Sequence, residues 1–95
     1  VVEGRARVVI DPGDVLEEGE ILVCETTDPS WASLMLVAGG LVIDIGGALS
    51  HGAIVARELG VPCVINTRVG TQRLRTGDLL RVDGDAGVVA VLATP

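Results

Sequence analysis

Phenylalanine, tyrosine and lysine are absent from this 95-residue chain, and Trp31 is its single aromatic residue. The core must therefore be built from Val, Leu, Ile and Ala. With 13 Gly, such a core points to short strands and tight turns rather than a helical bundle. Basic residues are scarce: seven arginines face 13 acids, for a formal net charge of -6. An acidic surface repels phosphate backbones, and there is no basic run for anionic lipid. Nucleic-acid and membrane partners are therefore not expected. No apolar stretch reaches the ~18–20 residues of a bilayer span, and no signal peptide is visible. The chain starts with Val1 rather than Met, as a piece of a longer polypeptide would. Cys24 and Cys63 form no close pair, which favours two buried thiols in a cytoplasmic protein over a disulfide.

The length allows one domain, residues 1–95, and 48% apolar residues allow it a real core. Residues 4–10 read as a strand, with Ala6, Val8 and Ile10 alternating with Arg5 and Arg7. Asp11-Pro12-Gly13-Asp14 is a turn, and Ile21–Cys24 a second strand. Asp28-Pro29 opens a helix, with Asp28 as cap and Pro29 at the first helical position. Trp31, Leu34, Met35 and Ala38 follow at helical spacing, and Gly39-Gly40 ends the helix. Leu41–Ile45 reads as a strand buried on both faces. A short helix carries Ala53, Ile54, Ala56 and Leu59, with Gly60 at its end and Pro62 beyond. Cys63–Ile65 is a short strand, and 66–78 a polar loop with one helical turn. Leu79–Val82 and Val88–Leu92 flank Asp83-Gly84 as a closing hairpin. Strands alternate with two short helices, so the class is mixed α/β.

The informative segment runs strand, Gly46-Gly47, Ser50-His51, helix. Gly46 and Gly47 let the backbone turn sharply and approach something closely. Ser50 is placed to cap the helix. His51, the only histidine, falls on the first turn, beside amides without intrahelical partners. Those amides and the helix dipole favour an anion. An unprotonated imidazole is a nucleophile near neutral pH, so a histidine at an anion site suits a phosphoryl carrier. Spacing alone leaves open that His51 is an ordinary residue at a helix start.

Gly46-Gly47-Ala48-Leu49-Ser50-His51-Gly52-Ala53-Ile54-Val55-Ala56-Arg57-Glu58-Leu59-Gly60-Val61-Pro62 closely resembles the phosphohistidine signature of PEP-utilising enzymes. These include pyruvate phosphate dikinase, phosphoenolpyruvate synthase, enzyme I of the sugar phosphotransferase system and rifamycin phosphotransferases. Glu20–Val23 with Thr27-Asp28-Pro29 resembles the approach to the family's first helix, and Asp83-Gly84 with Gly87 its closing hairpin. Asp28-Pro29-Ser30-Trp31 leans towards the rifamycin-phosphotransferase and phosphoenolpyruvate-synthase branch. The resemblance implies a compact three-layer β/β/α swivelling domain carrying the acceptor histidine on an exposed edge. His51 matches the phosphorylated residue. In the family it takes a phosphoryl group from ATP or PEP at one active site and hands it on at another. The nucleotide-binding and PEP- or substrate-binding domains supply those sites, together with Mg²⁺. No cofactor or metal is expected on this domain itself.

On that basis Ser50 is expected to cap the helix, orient the imidazole and donate to the phosphoryl group. Gly46 and Gly47 would admit a partner site, and the amides of Gly52 and Ala53 would bind the phosphoryl oxygens. Arg57 has two roles open: reaching phosphate or a partner domain, or pairing with a surface acid. Gly52 stands where many members have Ala, and Asn66-Thr67-Arg68 replaces a small apolar continuation. Cys24, Cys63 and His51 lack the spacing of a metal site. Ser50 beside His51 on the backbone does not give a hydrolase triad. The serious rival is a catalytically silent docking module on the same scaffold.

Overall fold

The structure, a computed structural model, describes residues 1–95. Ile21-Leu22-Val23-Cys24 contains no polar side chain, and as strand β2 (Ile21–Cys24) all four residues are buried. Strand β3 (Gly40–Ile43) is buried throughout as well. With β1 (Val2–Val8) and β4 (Cys63–Ile65) they form a parallel set. Strands β5 (Leu79–Asp83) and β6 (Val88–Ala93) add antiparallel to the other edge of β1, giving the order β4-β3-β2-β1-β5-β6.

Period-two alternation along β2 and β3 divides the interior into two cores. Ile21, Val23 and Val42 pack with Ala6, Val64, Leu80 and Val82 on one face. Leu22, Cys24, Leu41 and Ile43 pack on the other with Trp31, Leu34, Met35, Ala38 and Ala56. The first core lies inside a curled sheet: the hairpin tip folds over until a Cβ on Gly84 would stand 3.0 Å from the Cys63 amide. The second lies under the helical layer. It comprises a 3₁₀ turn (Pro29–Trp31), α1 (Ala32–Val37) and α2 (His51–Leu59). The architecture is thus the expected β/β/α arrangement of a mixed α/β fold.

Local signals act as their chemistry requires. Asp28 caps the 3₁₀ turn by accepting from the Ser30 amide at 2.8 Å, with Pro29 at the first position. Gly60 ends α2 in the left-handed conformation at φ 71°. The single helical turn in the polar stretch is α3 (Gly70–Arg73). One expectation fails: β1 stops at Val8, and Ile10 is 88% exposed. The Val9 amide still reaches the Val23 carbonyl, but β2 then ends, and Asp11 turns the chain by accepting from the Gly13 amide. Likewise the helix ends before Gly39-Gly40, at Val37 with Ala38 as its C-cap, Gly40 already belongs to β3, and Asp44 and Ile45 lie beyond that strand.

Both thiols are free; Cys24 is buried and Cys63 partly buried. Burial, with the nearby Asp44 charge and Cys63 adding to it, pushes Cys24 up to about 12; burial alone pushes Cys63 up to about 11. A raised thiol pKa means the unfolded chain ionises first, at ~8.5. Stability is therefore full below that value and falls as pH rises above it. With no Lys or Tyr to titrate in this window, the melting temperature should drop between about pH 8.5 and 11. The fall should be clearly shallower in a Cys24→Ala/Cys63→Ala variant, measured by circular dichroism across that range.

Candidate active site at the start of helix α2

The parallel strands share one carboxyl edge, and the chain segments leaving β2 and β3 meet there. Glu25–Asp28 leaves β2; Asp44–Ser50 leaves β3 and turns into α2. Backbone bonds from Asp44 to Cys24 (3.0 Å) and from Ile45 to Glu25 (2.8 Å) hold the two segments side by side. The glycine loop closes through the Ser50 amide on the Gly47 carbonyl at 3.0 Å.

His51 is the first residue of α2 and is half-buried. Its Nδ1 lies 2.9 Å from the Thr27 hydroxyl, a hydrogen bond whose direction depends on the tautomer. Thr27 can sit there because residue 52 has no side chain: a Cβ on Gly52 would stand 3.0 Å from Thr27 Oγ1 and would collide with Ile43 Cδ1. Gly52 therefore lets the first turn of α2 lie close over β3 and under the hydroxyl that orients the imidazole.

Ser50 occupies the N-cap position with extended backbone, but its hydroxyl makes no capping bond. That corrects the sequence expectation. Ser50 Oγ is buried without a hydrogen-bond partner, and a Cβ on Gly46 would stand 2.9 Å from it. The space left by Gly46 is thus filled by the chain's own serine, which turns the hydroxyl away from the helix end. Imidazole orientation falls to Thr27, not Ser50. Gly47, by contrast, is open: a Cβ there would meet nothing within 4 Å.

The ladder of α2 begins with the Ile54 amide on the Ser50 carbonyl at 3.0 Å, so the amides of Gly52 and Ala53 precede it. Both residues are buried. Arg57 makes no ion pair with a surface acid: its guanidinium donates to the Ala48 carbonyl at 3.2 Å and braces the glycine loop from the helix. Leu49 on that loop is 84% exposed. No group of three or more His, Cys, Asp or Glu stands together as a metal site.

Two carboxylates flank the histidine segment. Hydrogen bonds from the Ser30 hydroxyl and amide hold Asp28 below the usual carboxylate range, and the His51 charge adds to them. Asp44 is 3% exposed. Burial opposes its ionisation, but the Thr71 and Thr67 hydroxyls and the amides of Thr71 and Gly70 outweigh it and lower its pKa. Thr67 reaches it at 2.8 Å and the Thr71 amide at 3.3 Å. Asn66 and Arg68 adopt left-handed backbone, φ 59° and 66°, to fold the 66–71 loop onto this carboxylate. Thr27 and Asp44 escaped the sequence reading. The available signals were a hydroxyl beside a helix-capping Asp-Pro and an acid closing an otherwise apolar strand.

Asp44 has a depressed pKa, so its contribution is present above the ordinary carboxylate value of ~3.9 and lost as pH falls below it. Asp44→Ala should cost about 2–4 kcal/mol at neutral pH, because two part-buried hydroxyl donors lose their charged acceptor. Urea unfolding at pH 7 and pH 3 tests this: the gap between wild type and Asp44→Ala should be wide at pH 7 and narrow as acid is added.

Comparison with known proteins agrees with this geometry. The PEP-utilising enzyme, mobile domain family matches residues 16–87. Rifampicin phosphotransferase of Streptomyces sviceus is 46% identical over 93 residues, 97% of this chain and 11% of that protein. Phosphoenolpyruvate synthase of Aeropyrum pernix is 44% identical over 92 residues, 94% of this chain and 11% of that protein. Chondramide synthase cmdD of Chondromyces crocatus is 52% identical over 91 residues, 94% of this chain and 2% of that protein. The NMR solution structure of Enzyme I (nEIt) superposes with a TM-score of 0.70 at 35% identity, covering 81% of this chain and 32% of that one. This chain spans about a tenth or less of the length of these curated relatives. With its mixed α/β layers, its histidine loop and the match over residues 16–87, the chain belongs to the PEP-utilising enzyme mobile-domain family.

Proposed function

We propose that this chain is one domain of a larger phosphotransferase and carries a phosphoryl group on His51 between two active sites of companion domains. The observation that carries the reading is the Thr27–His51 contact at the open start of α2. With Nδ1 engaged at 2.9 Å, the other ring nitrogen, Nε2, is the one left to react. In the reactive tautomer Nδ1–H donates to Thr27 Oγ1, and the lone pair rests on Nε2.

In the first step the Nε2 lone pair forms an N–P bond. The P–O bond to the leaving group breaks, and the departing oxygen of ADP or enolpyruvate takes the electron pair. In the second step the acceptor oxygen attacks phosphorus, the N–P bond breaks, Nε2 recovers its lone pair, and the proton of a hydroxyl or water acceptor passes to a base on the companion domain. Nδ1 keeps its proton throughout, with Thr27 accepting from it as positive charge develops on the ring. Such transfer requires positioning and charge neutralisation more than a set of acid–base groups. The first-turn amides of Gly52 and Ala53 supply part of that neutralisation, and Arg57 keeps the loop that precedes His51 in place.

In this reading the nucleotide or PEP, with Mg²⁺, binds at companion domains. The named relatives, rifampicin phosphotransferase and phosphoenolpyruvate synthase, supply ATP- or PEP-linked chemistry as the candidate context. Two free thiols suit a cytoplasmic location. A silent docking module would have no use for a hydroxyl held on the imidazole.

The test is intact mass and acid lability after incubation with Mg²⁺, ATP or PEP and the companion domains of the parent chain. One acid-labile phosphoryl group should appear, and none on His51→Ala. Thr27→Val, nearly isosteric, should stay folded with a loss of about 1 kcal/mol. Its phosphorylation should slow about 10–100-fold as the ring loses its orientation. Full turnover by His51→Ala would establish the docking module instead.

A further inference from the structure

Beside the histidine lies a second concavity. A cleft of about 520 Å³ opens at the carboxyl ends of β1 and β2. Its walls include Val9, Ile10 and Trp31, and its polar groups include Glu25, Thr26 and Asp28. Crevices at this end of parallel strands are where α/β sheets receive ligands. The Glu25–Asp28 segment is shared: Thr26 and Asp28 line the cleft, while Thr27 between them holds His51.

Three observations define the occupant. First, the lining is acidic and carries no cation. The Glu25 carboxylate has no hydrogen-bond or ion-pair partner, and Asp28 is engaged only by Ser30, within its own turn. Second, two carboxylates with no third ligand do not make a metal site. Third, apart from Thr26 and Thr71 the rest of the wall is apolar, including Ile10 at 88% exposure and the single indole of the chain. A long apolar stem ending in a planar, weakly hydrated cation fits all three, and arginine is the side chain that has both.

We propose that this cleft receives an arginine side chain from a companion domain, so that docking brings a guanidinium to Glu25 and Asp28 beside His51. The inference rests on the carrier reading, and it answers a difficulty in that reading. Asp28 already feels the His51 charge. A phosphoryl group on His51 would add negative charge next to an ionised carboxylate, which opposes its arrival. A guanidinium between the carboxylates offsets that repulsion only while the domains are docked. The phosphoryl group is then accommodated most readily while the domains are docked.

Trp31 is both a wall of the cleft and the only fluorophore, so its emission reports occupancy directly. The probe is Nα-acetyl-arginine amide, with the neutral isostere Nα-acetyl-citrulline amide as control. A saturable change with half-saturation near ~1–10 mM is expected for a single side chain. Citrulline should give none. A Glu25→Gln/Asp28→Asn variant, in which Asn retains capping ability, should weaken the arginine response at least tenfold. Equal responses to the two probes, an unchanged response in the variant, or a response to Mg²⁺ alone that competes with arginine would each overturn the assignment. In parallel, phosphoramidate offers a phosphoryl group to His51 without companions, read by ³¹P NMR. Phosphohistidine formation without an arginine response would sink the docking cleft and leave the carrier standing. An arginine response on a chain whose His51 never accepts phosphoryl would do the reverse.

Discussion

Strands β2 and β3 have no solvent-facing side, and the rest of the molecule is arranged around that constraint. A strand apolar on both faces must be covered twice, here by helices on one side and the curled β1-β5-β6 sheet on the other. Once both faces are covered, only the strand ends remain open. Polar chemistry is thereby confined to the carboxyl edge, where Thr27 follows β2 and Asp44 follows β3. The double burial also fixes register, since a one-residue slip would exchange the two cores. His51 stands at the start of a helix whose packing residues, Ala53 and Ala56, are small enough to bring it close to that platform.

Rigidity at the edge comes from a few hydrogen bonds whose loss would be felt at the histidine. Asp44 ties the 66–71 loop to the end of β3 through Thr67 and Thr71. Arg57 ties the glycine loop to α2. Each is a charged group bonded to neutral donors or acceptors rather than an ion pair; the one side-chain ion pair, Arg7–Glu20 at 3.2 Å, lies elsewhere. Hydrogen bonds to a charged group are worth more than exposed ion pairs and are screened less by salt. The site of this acidic domain is therefore kept ordered without drawing on its surface charge.

The boundaries of α2 were legible because Ser50, Gly60 and Pro62 punctuate it, and Asp28-Pro29 marked the earlier helical segment for the same reason. Hairpin β5–β6 followed from Asp83-Gly84 between apolar runs. Ile10 misled because alternation is a local signal, whereas the length of β1 is set by where its neighbour β2 ends. Ser50 misled in a different way. A serine at a helix start has two uses, capping or packing, and the space left by Gly46 four residues earlier decides between them. Thr27 was invisible because it is 24 residues from the histidine it touches. Gly52 read as a departure from the Ala of many members; in three dimensions it is the gap that admits Thr27.

In the proposed function one imidazole, one hydroxyl and a few amides receive and release the phosphoryl group. On the proposed reading, the economy follows from the duty of a carrier. Any group on the mobile domain that stabilised the phosphoryl strongly would have to be overcome at the second site, so strong stabilisation belongs on the stationary partners. A net charge of -6 fits that division. It keeps the free domain from holding anions tightly, and in the proposed function it leaves the positive charge for transfer to the companion domains.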